Sequence, residues 1–383
     1  MCGCIVGHRR AGRRGTTALL LGVWSAGWVV YLGHRFGVLL SWHFFVAGAR
    51  RLVGLRYPGY VRPGGLHLYA SYPKLQIGPL AFVVALPLAV LPSTVGAVAA
   101  TVLMLSGGGL TAWLMTDAAR RTPGQQAPGA AQVLAFAFVS PLWASLAFTF
   151  GHLDDVLALT CVVASINAAL RGRYQLSAVA VGLSAAAKPW AFAFLPLVLL
   201  APKAQRAKAS AIALGTAVIG WLPFLIAAPH TMRAAGFKIR VAPASVLGLL
   251  GVHGGTPAWV RPVQLTVGAL LVALCLRHGR YAGAVVVALA LRLAIDPNTY
   301  PYYTTGLLVA AAMWDLLASR AAFPIMTATC FLALYLPGLE NLPAATRATL
   351  LLAVVVAIPI AVAIKPAPRT IEATLPFCDA GTS

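Results

Sequence analysis

Long runs of apolar residues alternate with short polar connections along almost the whole chain. Examples are residues 17–40, 131–150, 209–228 and 349–364. About 20 apolar residues in a helix cross a hydrocarbon core of about 30 Å. The pattern therefore predicts an all-α, polytopic transmembrane helical bundle with about 9–11 membrane segments. We expect residues 1–364 to form a single transmembrane domain and residues 365–383 a polar C-terminal tail.

Two longer polar stretches interrupt this pattern, at residues 41–76 and 229–262. In the first stretch, residues 42–55 carry apolar and basic side chains on different sides of a helix. Such a helix is suited to lie along the membrane interface. Prolines and glycines then continue the stretch as a loop. We therefore predict interfacial helices in this first long loop.

Two apolar segments contain residues that interrupt a helix. Residues 77–92 are short and include Pro79 and Pro87, which predicts a dipping or broken helix. Residues 176–201 have Lys188 and Pro189 at their centre, with basic clusters at both ends. We expect this segment to enter the membrane, bend at Lys188–Pro189 and return.

Composition and charge agree with a membrane protein. Hydrophobic residues make up 60% of the chain and charged residues only 10%, whereas about 25% is usual in soluble domains. The net charge of +21 comes from 29 basic and 8 acidic residues. The basic residues form short clusters between apolar runs, as topology signals do. We therefore expect membrane lipids as partners, no nucleic acid, and a multi-pass protein of the plasma membrane.

The positive-inside rule predicts sidedness. It places the clusters at residues 171–173, 203–208 and 277–280 in the cytoplasm, and residues 151–155 outside. The loop at 41–76 then faces outside if residues 77–92 do not fully cross. The alternative is that this loop, itself basic, is cytoplasmic.

The acidic residues are few, and two of them are adjacent. Asp154 and Asp155 lie between two apolar runs, next to His152. Carboxylates near membrane segments usually have a task or a partner. These three side chains could supply a general base, bind a divalent metal or hydrogen-bond a sugar. The simpler interpretation is a solvated turn, with Asp155 favoured by the dipole of the next helix.

Other polar side chains also lie at or near apolar segments. Lys188 is central in its segment, where it could reach water only by extending along the apolar surface, so pairing with a phosphate or a carboxylate is favoured. Asp296, Tyr302 and Tyr303 belong to a polar and aromatic segment at a predicted membrane face. Tyrosines are also common there as interface anchors. We expect Lys188, Asp154 and Asp155 to line one cavity, within reach of His43 and the two tyrosines.

Nucleotide and zinc motifs are missing from the sequence. No phosphate-binding P-loop, no G-x-G-x-x-G after a strand and no H-E-x-x-H occurs. This argues against a nucleotide-driven pump and a zinc protease.

Taken in order, several stretches resemble the GT-C membrane glycosyltransferases. Within that group they resemble family 87, the actinobacterial mannosyltransferases that use polyprenyl phosphate mannose. The resemblance covers roughly residues 20–225 and continues at Tyr302-Tyr303. The matching stretches are Trp42 to Gly54, Tyr72-Pro73-Lys74 with Pro79-Leu80, Leu86-Pro87-Leu88-Ala89, Gly151 to Asp155, and Arg173 followed by Gly182 to Pro189.

This resemblance implies transfer of a sugar, mannose in the family, from a polyprenyl phosphate donor. The acceptor would be a glycolipid or a cell-envelope glycan at the outer membrane face. Arg50, Arg51, Lys74 and Lys188 would hold the phosphate, and His152, Asp296, Tyr302 and Tyr303 would contribute to substrate binding. Asp154 and Asp155 would act as base or bind the acceptor. No cofactor is expected; a divalent metal at the two acids is possible but not favoured.

The chain departs from the family in its first long loop. The family's presumed catalytic acid lies there, but residues 41–76 contain no Asp or Glu, and His43 occupies the approximate position. An unperturbed imidazole has a pKa of about 6.5, so His43 is a third candidate base. Two other classes remain open: a transporter or flippase, and a catalytically inactive scaffold. An inverted repeat, the mark of many transporters, is not evident.

Overall fold

The computed structural model describes residues 3–122 and 128–364, with side chains described from residue 18 onward. Within these ranges the chain is helical, and the only β pairing consists of two isolated bridges. The α-helices are α1 Gly3–Phe36, α2 Trp42–Leu52, α3 Leu68–Ser71, α4 Pro79–Ala89, α5 Ser93–Arg121, α6 Gly129–Ala144, α7 Leu153–Leu170, α8 Tyr174–Ala187, α9 Lys203–Ala227, α10 Val246–Leu249, α11 Val260–Arg277, α12 Tyr281–Ala294, α13 Tyr303–Ala318, α14 Ile325–Cys330, α15 Leu336–Leu339 and α16 Ala344–Ile364.

Six helices of the described chain are long and apolar enough to cross a membrane. They are α5, α6 with its continuation to Phe150, α7, α9, α11 and α16. Six shorter apolar helices of 10–17 residues accompany them. These helices confirm the predicted membrane helical architecture. The predicted count of about 9–11 membrane segments stays a prediction.

Three of the apolar segments change helix type along their length. A π-helical turn, Ser145–Phe150, extends α6, and another, Phe331–Tyr335, joins α14 to α15. After α8, Lys188 is extended (φ −146°, ψ 126°) and a 3-10 helix follows at Pro189–Leu200. This 3-10 helix packs back against α8. The break confirms the predicted bend at Lys188–Pro189, where proline cannot continue an α-helix.

Helix α4 is short because it begins beside this break. It has 11 residues and contains Pro87, so at 1.5 Å per residue it rises only about 16 Å. The Gly78 N–H donates to the Ala187 carbonyl oxygen at 3.0 Å. A Cβ atom on Gly78 would lie 2.2 Å from the Ala186 oxygen. Only glycine allows this approach, which agrees with the predicted dipping helix.

The helices give the bundle two distinct ends. At one end, which we name the cavity end, α1 finishes, α7 and α13 begin, and the two long loops lie. At the other, which we name the short-loop end, α5 meets the last residues of α7 and short connections lead into α8, α9 and α12. Residues 41–76 and 151–155 therefore share one end. The N–H groups of Leu39, Leu40 and Ser41 donate to the carbonyl oxygens of residues 148–150.

Both long loops contain short helices. Helix α2 ends at Leu52, three residues before residue 55, where the sequence predicts the end of the amphipathic helix. The second loop includes a 3-10 turn, Pro229–Ala234, and α10, and it ends at Val260, where α11 begins. The 3-10 turn packs against α3, and the Gln76 side-chain amide donates to the Ala234 oxygen at 2.9 Å. The two loops therefore close over the same end of the bundle.

Candidate functional site

Lys188 forms ion pairs with both adjacent carboxylates of α7. Its ammonium contacts Asp154 Oδ2 and lies 3.1 Å from Asp155 Oδ2. The Asp154 side chain is fully buried, and that of Asp155 nearly so. A buried carboxylate is stable only when it is paired and hydrogen-bonded. The helix break places the Lys188 ammonium beside these carboxylates. Lys188 therefore pairs with a carboxylate, one of the two partners predicted from the sequence.

A second layer of polar contacts surrounds this ion pair. The Trp190 indole N–H donates to Asp155 Oδ1 at 3.0 Å. The Arg292 guanidinium lies 4.0 Å from Asp155 Oδ1 and 3.8 Å from Asp296 Oδ2, and it stacks over the Trp190 ring at 4.6 Å. Burial raises the pKa of the Asp296 carboxyl above its ordinary value, while Arg292 and Arg261 act in the opposite direction. Charged groups from α7, α12 and the 188–190 break thus form one network.

His152 is a buried polar side chain of this cluster whose ring makes no hydrogen bond with the described residues. Its Nδ1 atom lies 3.4 Å from Asp154 Oδ1, but neither ring nitrogen makes a hydrogen bond although both are buried. The ring stacks on Tyr302 at 3.9 Å and meets Phe45 edge-on at 6.1 Å. These rings fix the imidazole plane. A buried polar atom left without a partner is costly, so a ligand or water is expected there.

The position of His152 depends on the glycine before it. Gly151 ends the π-helical turn in the left-handed region, at φ +67°. Non-glycine residues rarely adopt this conformation, and a Cβ there would also lie 2.8 Å from Leu39 Cδ2. The turn directs the chain into α7, so Asp154 and Asp155 lie in the first turn of that helix.

A cavity of about 740 Å³ opens beside this cluster. Its apolar side is formed largely by α9 and α11, which both pack on the 3-10 helix 189–200. Val218, Leu222 and Leu225 of α9 and Leu265 of α11 line it. Both helices expose apolar side chains on their outer faces. The cavity is therefore amphipathic. Its charged part lies at the ion pair, and its apolar part lies between α9 and α11, whose outer faces are apolar.

Cations exceed anions around the cavity. Four basic side chains line it, namely Lys74, Lys188, Arg261 and Arg292. Three acids lie at the same place: Asp154 and Asp296 in the wall and Asp155 on the Lys188 ammonium. No described acid lies within 4 Å of Lys74 or Arg261. Four charges against three leave one positive charge, which suits an anionic ligand.

The structure brings most of the sequence-predicted site residues together. The cavity wall includes Lys74, His152, Asp154, Lys188, Asp296, Tyr302 and Tyr303. Three predicted residues lie elsewhere. The His43 side chain is exposed and packs on Phe44. The Phe44 side chain, and not that of His43, lines the cavity. Arg50 and Arg51 do not line the cavity, and Arg51 donates to the Leu55 carbonyl oxygen within its own loop. The expectation that His43 reaches the cavity is therefore not met, because one step along a helix turns a side chain by about 100°.

Two basic residues of the cavity wall are not among those predicted from the sequence. Arg261 lies just inside α11, and Arg292 near the end of α12. In the sequence, Arg261 belongs to the polar stretch at 229–262. Arg292 carried a usable signal, because it is the only charged residue within the apolar helix α12.

The same cluster meets the geometric requirement for a small cation site. Ligand atoms of His152, Asp154 and Asp155 lie within 4.8 Å of one another. The Lys188 ammonium already pairs with both carboxylates. The chain thus supplies a cation of its own at this position.

Comparison with known proteins gives no match: no family model, no curated protein and no solved structure is similar to this chain.

Proposed function

We propose that this chain is a membrane glycosyltransferase that transfers a sugar, mannose if the family resemblance holds, from a polyprenyl phosphate donor to a glycolipid or envelope glycan. The observation that carries the proposal is the amphipathic cavity. An apolar flank and an excess positive charge meet at a buried imidazole that makes no hydrogen bond with the described residues. A polyprenyl phosphate sugar has a matching apolar chain, anionic group and reactive sugar.

Three cations are available for the donor phosphate. Lys188 is engaged by both carboxylates, so Lys74, Arg261 and Arg292 are the candidates. Arginine binds phosphate through several parallel N–H donors. Arg292 is held between the Trp190 and Tyr303 rings, which limits its motion. Preorganised cations stabilise the negative charge that develops on the leaving phosphate.

His152 is the best-placed general base. In the reaction, the acceptor hydroxyl oxygen bonds to the anomeric carbon as the bond from that carbon to the phosphate oxygen breaks. The hydroxyl proton goes to the imidazole, and the phosphate leaves with the electron pair. Asp154, 3.4 Å from Nδ1, would stabilise the imidazolium that forms. The two carboxylates are occupied by Lys188 and Trp190, so they would position the cation and the base.

The test uses the purified full chain in lipid nanodiscs with radiolabelled polyprenyl phosphate mannose. Release of polyprenyl phosphate is followed with an added glycolipid extract and also with water alone, so that the acceptor need not be known. Donor binding is measured separately by competition with unlabelled polyprenyl phosphate. Cleavage of the donor supports the proposal.

A matched pair of arginine variants on α11 locates the site. Arg261→Ala removes a charge-assisted hydrogen bond to phosphate, and we expect about tenfold weaker binding or more. Arg277→Ala removes the same charge from the exposed, opposite end of the helix and should bind normally. Binding without any cleavage would favour the transporter or the inactive scaffold. Equal binding by both variants would place the phosphate elsewhere.

A further inference from the structure

A second cavity of about 480 Å³ lies at the same end of the bundle. It is bounded by the end of α1, the residues before α13, and the first turn of α16. Its volume is within the usual range for small-molecule sites, about 300–1,000 Å³. It shares Phe150 and Tyr300 with the first cavity. The two cavities are therefore neighbours on either side of an aromatic wall.

Two polar side chains of this second cavity, Arg347 and Asn298, offer hydrogen-bond donors. Arg347 lines it, and the buried Nε atom of this side chain has no hydrogen-bond partner within the described parts of the chain. The Asn298 side-chain oxygen accepts from the Thr299 N–H at 2.8 Å, which leaves its amide N–H groups for a ligand. None of the described residues that line this cavity is acidic. These donors suit a ligand with many oxygen atoms.

The rest of the wall is aromatic. Phe36, Phe150, Tyr300 and Tyr335 contribute rings. Flat apolar faces combined with a few fixed donors are what a glycosyl ring requires, because its C–H faces are apolar and its hydroxyl edges are polar. An all-apolar ligand would leave the guanidinium and the amide unsatisfied at a cost. The lining thus favours a carbohydrate over a lipid chain.

A stack of three rings connects this cavity to the proposed base. Tyr300 stacks on Tyr302 with centroids 5.6 Å apart and an interplanar angle of 9°, and Tyr302 stacks on His152 at 3.9 Å. Tyr300 is 43% exposed. A glycan held in the second cavity can therefore extend past the Tyr300 ring towards the imidazole.

We propose that the second cavity binds the glycosyl part of the acceptor. Arg347 and Asn298 would hold its hydroxyl groups, and Tyr300 would form the wall shared with the donor cavity. The assignment to an acceptor rests on the proposed glycosyltransferase function, whereas carbohydrate binding at this cavity does not.

The experiment uses an octyl mannoside carrying a photoreactive diazirine, with the full chain in nanodiscs and no donor present. Adducts are mapped by peptide mass spectrometry. We expect them within residues 298–301 and 338–347, reduced by excess octyl mannoside but not by octanol. Arg347→Ala should weaken labelling about tenfold. Arg320→Ala, an exposed arginine after the far end of α13, should label normally. If Arg347→Ala does not fold, Asn298→Leu provides the same comparison.

The outcomes separate this inference from the proposed function. Adducts confined to the first cavity, or equal competition by octanol, would overturn it. Mannose transfer without adducts in the second cavity would reject the inference alone. Labelling of the second cavity in a protein that cleaves no donor would uphold the carbohydrate site and reject the glycosyltransferase.

Discussion

Lys188 shows how one residue organises the site. A lone ammonium in an apolar segment is costly, and two adjacent carboxylates would repel each other. Placed together, the three charges compensate. Trp190, two positions later, donates to Asp155 and also supports Arg292. The short sequence from 188 to 190 therefore holds both the buried carboxylates and Arg292 of the cavity wall.

At the same scale, two histidines test which group is the base. His152→Ala removes the buried imidazole, and we expect transfer to fall by about 10²–10⁴-fold with donor binding retained. His43→Ala, an exposed histidine outside the cavity, serves as the control and should transfer normally. Rates of mannose transfer and affinities for polyprenyl phosphate are measured for both variants. A slow His43→Ala enzyme beside an active His152→Ala enzyme would reverse the assignment.

Sequence reasoning found those site residues whose signal is local. Asp154, Asp155 and Lys188 are charges within or beside apolar runs, which identifies them without a structure. It did not identify Arg261, because a basic residue near a helix end is also what a topology signal looks like. The sequence also does not show whether His43 or Phe44 lines the cavity, because that depends on how α2 packs against α4. The place of Arg261 and the choice between His43 and Phe44 both depend on contacts between segments that are distant in sequence.

Among the elements, the broken segments were the most predictable. Pro189 indicates the end of α8, which stops at Ala187, and Pro79 is the first residue of the short helix α4, which ends two residues after Pro87. The π-helical turns had no such signal. The turn at residues 145–150 lengthens α6 towards Gly151, which then reverses the chain into α7. This irregular turn, rather than a regular helix end, sets the position of His152.

Helices α5 and α7 are joined at the short-loop end by a single carboxylate. Asp117 accepts from Arg121 at 2.9 Å, from Asn167 at 2.8 Å and from Arg171 at 3.1 Å. Hydrogen bonds to charged groups contribute about 1.5–3 kcal/mol, and partial exposure lowers the value. We expect Asp117→Ala to reduce stability by about 2 kcal/mol, seen as a lower melting temperature in detergent.

Glu340→Gln is the control for that experiment. Glu340 is exposed, and no described basic group lies within 4 Å of it. The Glu340→Gln variant should therefore melt at the same temperature as the unaltered chain. If Asp117→Ala melts like Glu340→Gln, the contacts of Asp117 with Asn167 and Arg171 do not stabilise the packing of α5 on α7.

For the whole molecule, the positive charges do not separate cleanly between the two ends. The short-loop end has Arg171, Arg173, Lys203 and Arg277. The cavity end also carries basic residues, including Arg56 and those of the cavity wall. The positive-inside rule counts charges in short loops near the membrane. The charges of the short-loop end lie in connections that directly flank apolar helices, whereas several of those at the cavity end line the cavity. We therefore retain the prediction that the cavity end faces outside.

Cysteine labelling in intact cells tests this orientation. The six native cysteines are replaced, and single cysteines are introduced by Val61→Cys in the first loop or Gln175→Cys at the start of α8. Both positions are exposed. Because residues 41–76 and 151–155 share one end, a single pair of positions reports on the whole bundle. We expect a membrane-impermeant maleimide to label position 61 in intact cells and position 175 only after permeabilisation. The opposite pattern would make the first loop cytoplasmic, and the proposed transfer would then take place on the inner side of the membrane.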